Sequence, residues 1–278
     1  MEIFYSSEEI KSYQFKQPHA LVPTMGNLHE GHLSLVKYAK KNFSEVTTSI
    51  FVNPLQFGEN EDFSDYPRTL DQDIELLENV GCDYLFVPEK KFAENLRIIE
   101  PRFSDVLCGL NRPNHFHGVI TIVDKFLKII EPNACLFGMK DYQQQLIIKD
   151  YVKRFDIETE ILSLPTVREK SGLAMSSRNN YLTDLEKENC GIIYSCISKV
   201  ASKINQITDA KKILHLKKRA VALLEQNNFE VDYLEVLDAE DLSELSESSQ
   251  KAIVAVAVRY KTIRLIDNIV FSLQPPFS

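Results

Sequence analysis

Four short segments combine residue types that could do phosphate chemistry. The first is Pro23-Thr24-Met25-Gly26-Asn27-Leu28-His29-Glu30-Gly31-His32. Gly26 and Gly31 let a backbone come close to a ligand, and free N–H groups at a helix start favour anions. His29 and His32 are three apart, so on a helical turn they project to one side and could donate hydrogen bonds to phosphate oxygens. The second segment, Ile50–Gly58, carries the neutral amides Asn53 and Gln56. Such groups recognise hydroxyls and carboxylates without adding a competing charge. In the third, Gly138-Met139-Lys140-Asp141-Tyr142-Gln143-Gln144, Lys140 offers a point charge for phosphate and Asp141 could hold magnesium directly or through water. The fourth, Met175-Ser176-Ser177-Arg178-Asn179, sets two hydroxyls and a guanidinium in series, which suits a polyphosphate. Each segment also has a plainer reading as a polar turn. The order strand, Gly, His-x-Gly-His, helix makes the first segment the most specific of the four. The chain has no GxxxxGK[ST] pattern, so this is not a P-loop.

Other polar clusters carry less. His115 and His117 form an HxH with no third ligand suggested, which favours a polar pocket wall over a metal site. Asp71 and Asp73 open a helix, where acids are favoured, with magnesium a secondary role for them. Cys108 has no evident base partner and reads as inert. Lys211–Arg219 reads as a solvated helix face.

These segments must be held by regular elements. His19–Pro23 reads as a buried strand and Gly31–Phe43 as the helix after it. Val46–Val52 is β-branched and stops at Asn53-Pro54, as a strand would. Arg68–Val80 has helical spacing, with Leu70, Ile74, Leu77 and Val80 on one face and Gly81 at its stop. Asp83–Val87 is a short strand. Val119, Ile122, Val123, Phe126, Leu127 and Ile130 form a helical stripe ending at Pro132. Ala134–Phe137 reads as a strand, Tyr142–Phe155 as a helix and Glu158–Leu164 as a strand. This alternation predicts parallel β-α-β units under a covered sheet. The first three segments then fall after strands, at the carboxyl edge where open parallel sheets bind ligands. Asp184–Asn205 and Asp209–Asn228 read as two helices. Val231–Leu237, Ala252–Arg259 and Ile263–Val270 read as strands, so this part is a separate α+β unit. The boundary falls near 172–182, which gives domains 1–174 and 175–278.

Composition narrows the function. With 32 basic against 40 acidic residues, the 278-residue chain carries net −8. An acidic chain is a poor non-specific partner for nucleic acid or anionic lipid, so neither is expected. No apolar run approaches a membrane span, and the start lacks a signal-peptide profile. Five cysteines, an odd number without a CxxC, point to reduced thiols in the cytoplasm.

Taken in order, PTMGNLHEGH, IFVNPLQFG, DYPRTLDQD, NRPNHFHGV, FGMKDYQQ and MSSRNNYLT resemble the pantothenate synthetase (pantoate–β-alanine ligase) family over nearly the whole chain. LIDN near the end also looks like the family. The resemblance implies a Rossmann-like N-terminal domain, a smaller α+β C-terminal lid domain, and a homodimer. It implies the reaction of ATP, (R)-pantoate and β-alanine to pantothenate, AMP and pyrophosphate, with magnesium (Mg2+) and a pantoyl-adenylate intermediate. By the same resemblance, Met25, Gly26, Asn27, Leu28, His29, Glu30, Gly31 and His32 contact ATP, with His32 the proton donor. Gly138, Met139, Lys140, Asp141, Val167, Met175, Ser176, Ser177 and Arg178 would also contact ATP. Lys140, Ser176, Ser177 and Arg178 would grip the phosphates. Gln56 and Gln144 would hold pantoate, Gln56 also lying near β-alanine, with Asn53 a neighbouring pocket residue. The metal candidates are Asp141 and Asp73.

The chain departs from the family at four places. Cys108 stands where Glu is usual, Asn114 replaces a Gly in RPGHF, and Met139 replaces the Glu or Gln before Lys140. Arg259-Tyr260-Lys261-Thr262 lacks the Gly expected in the last hairpin. The competing enzyme reading is another HxGH nucleotidyltransferase acting on a phosphorylated substrate. That substrate would call for Arg or Lys where Gln56 and Gln144 stand. A non-catalytic nucleotide- or nucleic-acid-binding protein is the third reading; the acidic balance and the set His29, His32, Lys140, Asp141 and Arg178 argue against it.

Overall fold

Six parallel strands build the larger sheet: β1 (Glu2–Phe4), β2 (His19–Thr24), β3 (Glu45–Ile50), β4 (Tyr84–Phe86), β5 (Ala134–Gly138) and β6 (Glu160–Leu164). Their order is β1-β4-β3-β2-β5-β6. All six residues of β3 and the first four of β2 are buried. A strand covered on both faces reads as a continuous rather than an alternating pattern, hence HALV and VTTSI. The structure, a computed structural model, describes residues 1–59, 61–204 and 210–273.

The helices of this part are α1 (Ser7–Ser12), α2 (Glu30–Asn42), α3 (Leu70–Asn79), α5 (His115–Ile130) and α6 (Tyr142–Arg154), whereas α4 (Cys108–Asn111), a single turn, groups with the C-terminal part of the chain. Helix α2 buries Leu33, Leu35, Val36 and Ala39 in a core with Ala20, Val22, Val46, Leu85 and Leu136. Each fully buried leucine contributes about 2 kcal/mol of transfer free energy, so this apolar core rather than helix propensity sets the layer. The chain winds from β2 to β3 and β4 on one side, and from β5 to β6 on the other. β2 and β5 are adjacent at this reversal, which opens a crevice at their carboxyl ends.

Contacts divide the chain into two units. One comprises Met1–Ser104, Arg112–Met139 and Gln143–Val167; the other comprises Asp105–Asn111, Lys140–Tyr142 and Arg168–Ser278. Along the main stretch the division falls at Val167/Arg168, before the expected 174/175, and Asp105–Asn111 and Lys140–Tyr142 group with the second unit. The second unit holds α7 (Asp184–Cys190), α8 (Ile192–Ile204), α9 (Ala210–Gln226) and an antiparallel sheet of β7 (Phe229–Asp238), β8 (Lys251–Tyr260) and β9 (Ile263–Ser272). Its core joins Ile193, Ile197, Val200 and Leu224 to Val254, Val256, Val258 and Leu265.

The predicted helix 184–205 is two helices, broken at Gly191. A Cβ there would lie 2.2 Å from the Ser171 carbonyl oxygen, so the helix yields to a close backbone approach. Asn205 and Asp209, the expected ends of two helices, lie outside the described residues. Among the described residues, no helix is long and apolar enough to cross a membrane.

Candidate active site

The loop between β2 and α2 is tightly constrained. Gly26 has φ +80°, and a Cβ on it would meet Ile50 Cγ2 at 3.0 Å and Asp73 Oδ2 at 3.1 Å. Asn27 follows with φ 49°, a conformation Asn tolerates better than most residues. Asp73 on α3 anchors both turns. Its Oδ2 accepts the Asn27 N–H at 2.9 Å and its Oδ1 accepts the Leu28 N–H at 2.7 Å. Thr69 Oγ1 adds a hydroxyl to Oδ2 at 3.2 Å. Burial raises the pKa of Asp73, against the pull of the two N–H groups.

His29 and His32 cap α2 reciprocally. His29 Nδ1 accepts the Gly31 N–H at 3.1 Å, and His32 Nδ1 accepts the His29 N–H at a long 3.4 Å. A neutral imidazole that accepts on Nδ1 carries its proton on Nε2. Both rings, 4.1 Å apart and half-buried, therefore carry the ring proton on Nε2 beside a helix N-terminus. Glu30 is exposed on the first turn.

The second predicted segment meets the first. Gln56 Nε2 lies 3.0 Å from Met25 Sδ, and Asn53 Nδ2 donates to Gln56 Oε1 at 3.0 Å. Asn53 also donates to the Gly118 carbonyl at 3.1 Å and accepts the Leu55 N–H at 3.0 Å. Only 2% exposed, Asn53 orients Gln56 rather than lining a pocket.

A support the residue types did not reveal lies behind this turn. His115 Nδ1–H donates to the Gln56 carbonyl at 2.8 Å, and Arg112 donates to His115 Nε2 at 3.0 Å. Arg112 also clamps Glu61 with two bonds of 2.6 Å. Burial raises the pKa of Glu61, but Arg112 and His115 outweigh it and the net shift is downward. Gly118 completes the bed, because a Cβ there would stand 2.1 Å from the Leu55 carbonyl oxygen. The HxH pair thus separates: His115 supports Gln56, and His117 Nε2 faces Glu100 at 3.1 Å.

Gly138 ends β5 and Met139 follows it in the same unit, and Gln144 stands half-buried in the first turn of α6. Neighbouring Gln145, unremarked in the sequence, fixes this end by donating to the Gly138 carbonyl at 2.7 Å. Val167 is half-buried where the first unit ends.

The second unit carries Lys140, Asp141 and Met175–Arg178. Lys140 Nζ lies 3.8 Å from Asp141 Oδ1. Ser176 caps the short turn Ser177–Tyr181, its Oγ accepting the Arg178 N–H at 3.3 Å. Ser177 is buried, whereas Met175, Ser176 and Arg178 are half-buried.

Asp73 is only 1% exposed and each of its oxygens accepts a backbone N–H, so in this structure its carboxylate shapes the loop and is less accessible to a magnesium ion than Asp141. Asp141, at 46% side-chain exposure, can give one oxygen to a cation. Among the described residues, no three His, Cys, Asp or Glu side chains gather as a metal-holding group. This donor set fits a magnesium ion that arrives on a nucleotide and keeps most of its oxygens from phosphate and water.

Three of the departures from the family pattern have a definite local setting, and nothing in the structure explains Met139. Asn114 and Lys261, where Gly is usual, take φ 65° and 56°. Cys108 Sγ sits 3.1 Å from the Tyr233 hydroxyl and 3.6 Å from Arg264. Arg264 keeps a carboxylate partner nonetheless, Asp232 at 2.7 Å.

Comparison with known proteins agrees with this geometry. The family model described as pantoate-beta-alanine ligase matches residues 2–270. A pantothenate synthetase from Shewanella oneidensis is 45% identical over 91% of each chain. One from Acinetobacter baumannii is 42% identical over 91% of this chain and 90% of its own. The pantothenate synthetase structure from Thermus thermophilus superposes with TM-score 0.89 at 35% identity, covering 97% of this chain and 99% of that one. A pantoate-beta-alanine ligase from Francisella tularensis, solved with beta-gamma ATP and beta-alanine, gives TM-score 0.78 at 35% identity over 97% of each chain. A histidine loop at a sheet reversal, a neutral glutamine held against it and a family match along nearly the whole sequence converge: the chain belongs to the pantoate–β-alanine ligase family, the pantothenate synthetases.

Proposed function

We propose that the chain joins (R)-pantoate to β-alanine, converting ATP to AMP and pyrophosphate through pantoyl adenylate. The observation that carries this is Gln56, a neutral amide held by Asn53 within 3.0 Å of Met25 at the start of the histidine loop. A neutral donor and acceptor beside a phosphate-binding loop suits a hydroxy acid better than a phosphorylated substrate. The Francisella relative, solved with beta-gamma ATP and beta-alanine, supports the same assignment.

In the first step a pantoate carboxylate oxygen bonds to the α-phosphorus, and the bond to pyrophosphate breaks. The carboxylate is already ionised at pH 7, so this step needs positioning and charge neutralisation rather than a base. His29 and His32 donate from Nε2 as charge builds on the phosphates, and His32 is the group to protonate a leaving oxygen. Lys140, Ser176, Ser177 and Arg178 hold phosphate oxygens, with Gly138, Met139, Val167 and Met175 against the nucleotide. Gln56 and Gln144 bind pantoate. Asp141 would give one oxygen to a magnesium ion bound with ATP, which would supply further neutralisation of the phosphate charge. In the second step the β-alanine amine, having given one proton to solvent, attacks the acyl carbon; the bond to the adenylate oxygen breaks, AMP leaves, and the new amide nitrogen gives its extra proton to solvent. The family resemblance also supports a cytoplasmic homodimer, which light scattering reads directly.

The test is pantoate-dependent exchange between ATP and labelled pyrophosphate, with magnesium and without β-alanine. Exchange is expected, and adding β-alanine then yields AMP and pantothenate by mass spectrometry. Absence of exchange, with ATP still bound and no pantothenate formed, would sink this reading.

A further inference from the structure

Two adjacent polar residues of β9, Asp267 and Asn268, are buried, at 3% and 7% exposure. Successive residues of a strand face opposite sides of the sheet. Asp267 therefore interrupts the stripe of Ile263, Leu265, Ile269 and Phe271 that packs on the helices of the second unit. A carboxylate in that stripe carries a desolvation penalty, visible in its raised pKa, and a buried ion pair is weak evidence of a stability gain. Its consequence is geometric. Asp267 Oδ1 takes Arg168 at 3.0 Å while Oδ2 takes the second guanidinium nitrogen, and Arg168 lies 3.6 Å over the Tyr194 ring.

Arg168 opens a turn that closes on itself. It pairs with Ala174 as an isolated antiparallel bridge and donates to the Gly172 carbonyl at 3.1 Å. Ala174 precedes Met175, and its carbonyl accepts Asn179 Nδ2 at 3.1 Å. The chain of contacts thus runs from Asp267 through Arg168 and Ala174 to the turn that carries Ser176, Ser177 and Arg178. On the other side, Asn268 Nδ2 donates to the Lys140 carbonyl at 2.8 Å.

We propose that Asp267-Asn268 is a positioning pair for adenylation: one dipeptide of β9 sets the backbone of Lys140 and the turn bearing Arg178, so that both cations present to the nucleotide phosphates in register. The proposal rests on Lys140 and Arg178 being phosphate contacts. Neither Asp267 nor Asn268 needs to touch substrate.

The experiment uses the full chain with Asn268→Ala, the near-isosteric Asn268→Leu, and Asp267→Asn, beside Lys140→Ala and Arg178→Ala. Thermal unfolding confirms which variants fold, and Asn268→Leu preserves strand packing if the alanine does not. Pyrophosphate exchange gives KM for ATP; the complete reaction gives KM for β-alanine. The expected result is a roughly tenfold rise in KM for ATP with KM for β-alanine unchanged, and no further rise when Asn268→Leu is added to Lys140→Ala. An unchanged KM for ATP in Asn268→Leu and Asp267→Asn, while Lys140→Ala raises it, would overturn the positioning role and leave the phosphate contacts standing. Equal loss in the ATP, pantoate and β-alanine parameters would mark a merely structural strand and also overturn it. Silence of Lys140→Ala and Arg178→Ala would remove the phosphate reading itself, and this proposal with it.

Discussion

Asp73 Oδ1 accepts the main-chain N–H of Leu28 at 2.7 Å, so a carboxylate on α3 shapes the loop that carries both histidines. The same carboxylate accepts Asn27 through its other oxygen.

Asp73→Ala is therefore expected to lower stability by about 2–3 kcal/mol, the effect of leaving buried N–H groups unpaired. It should also raise KM for ATP. The magnesium concentration giving half-maximal activity should stay where it is. A large shift in that concentration, with little change in denaturation midpoint, would restore Asp73 as a metal ligand.

His115 supports Gln56 through its backbone, and Arg112 fixes the tautomer that does so. His115→Phe keeps the ring volume and removes both bonds. KM for pantoate should rise roughly tenfold while KM for ATP changes little. Equal changes in both constants would refute a role specific to the glutamine proposed to hold pantoate.

Gly118→Ala should be the harsher of two glycine replacements. The new methyl would overlap the Leu55 carbonyl oxygen at 2.1 Å, whereas a methyl on Gly138 meets nothing within 4 Å. Overpacking of this kind costs about 1–3 kcal/mol or more, and here it pushes directly on the turn of Asn53 and Gln56. Thermal unfolding should show Gly118→Ala destabilised and Gly138→Ala near the parent.

His19 predicts a pH dependence. Its ring is fully buried, stacks 4.0 Å from Phe15 and shares a 2.8 Å bond with Thr47 Oγ1, while Nδ1 has no partner among the described residues. Burial pushes its pKa from 6.5 down to about 4, against the pull of Glu45 and Asp83. The folded chain thus holds the neutral ring, and the unfolded chain binds the proton first as pH falls. About 3 kcal/mol of stability is present above pH 6.5 and is lost as pH drops toward 4. Urea titrations at pH 7, 5.5 and 4 should show this slope flattened in His19→Gln. An identical slope in the variant would assign the acid sensitivity elsewhere.

Much of this protein was legible where a feature is local. The strand, glycine turn and His-x-Gly-His helix start lie within a few residues, and both periodicity and capping are short-range signals. The stripe on α5 was readable for the same reason, and so were the three strands of the last sheet, these to within a residue or two at their ends. Strand β1 and helix α1 escaped, because three residues and six residues are too short to show a period. Helix α1 did carry a local mark, the capping box of Ser6 and Glu9.

By itself, then, the sequence determined the alternation of elements, the four polar segments and the family. Only the tertiary structure decided what each polar residue does. Asp73 is separated from Leu28 by 45 positions, Arg112 from Glu61 by 51 and Asn268 from Lys140 by 128. No spacing rule links residues that far apart, because their partnership is made by packing of the elements between them. The same packing divided the predicted helix at Gly191 and turned Asn53 inward. Side-chain chemistry is local and could be read; which groups it meets is set by the whole fold.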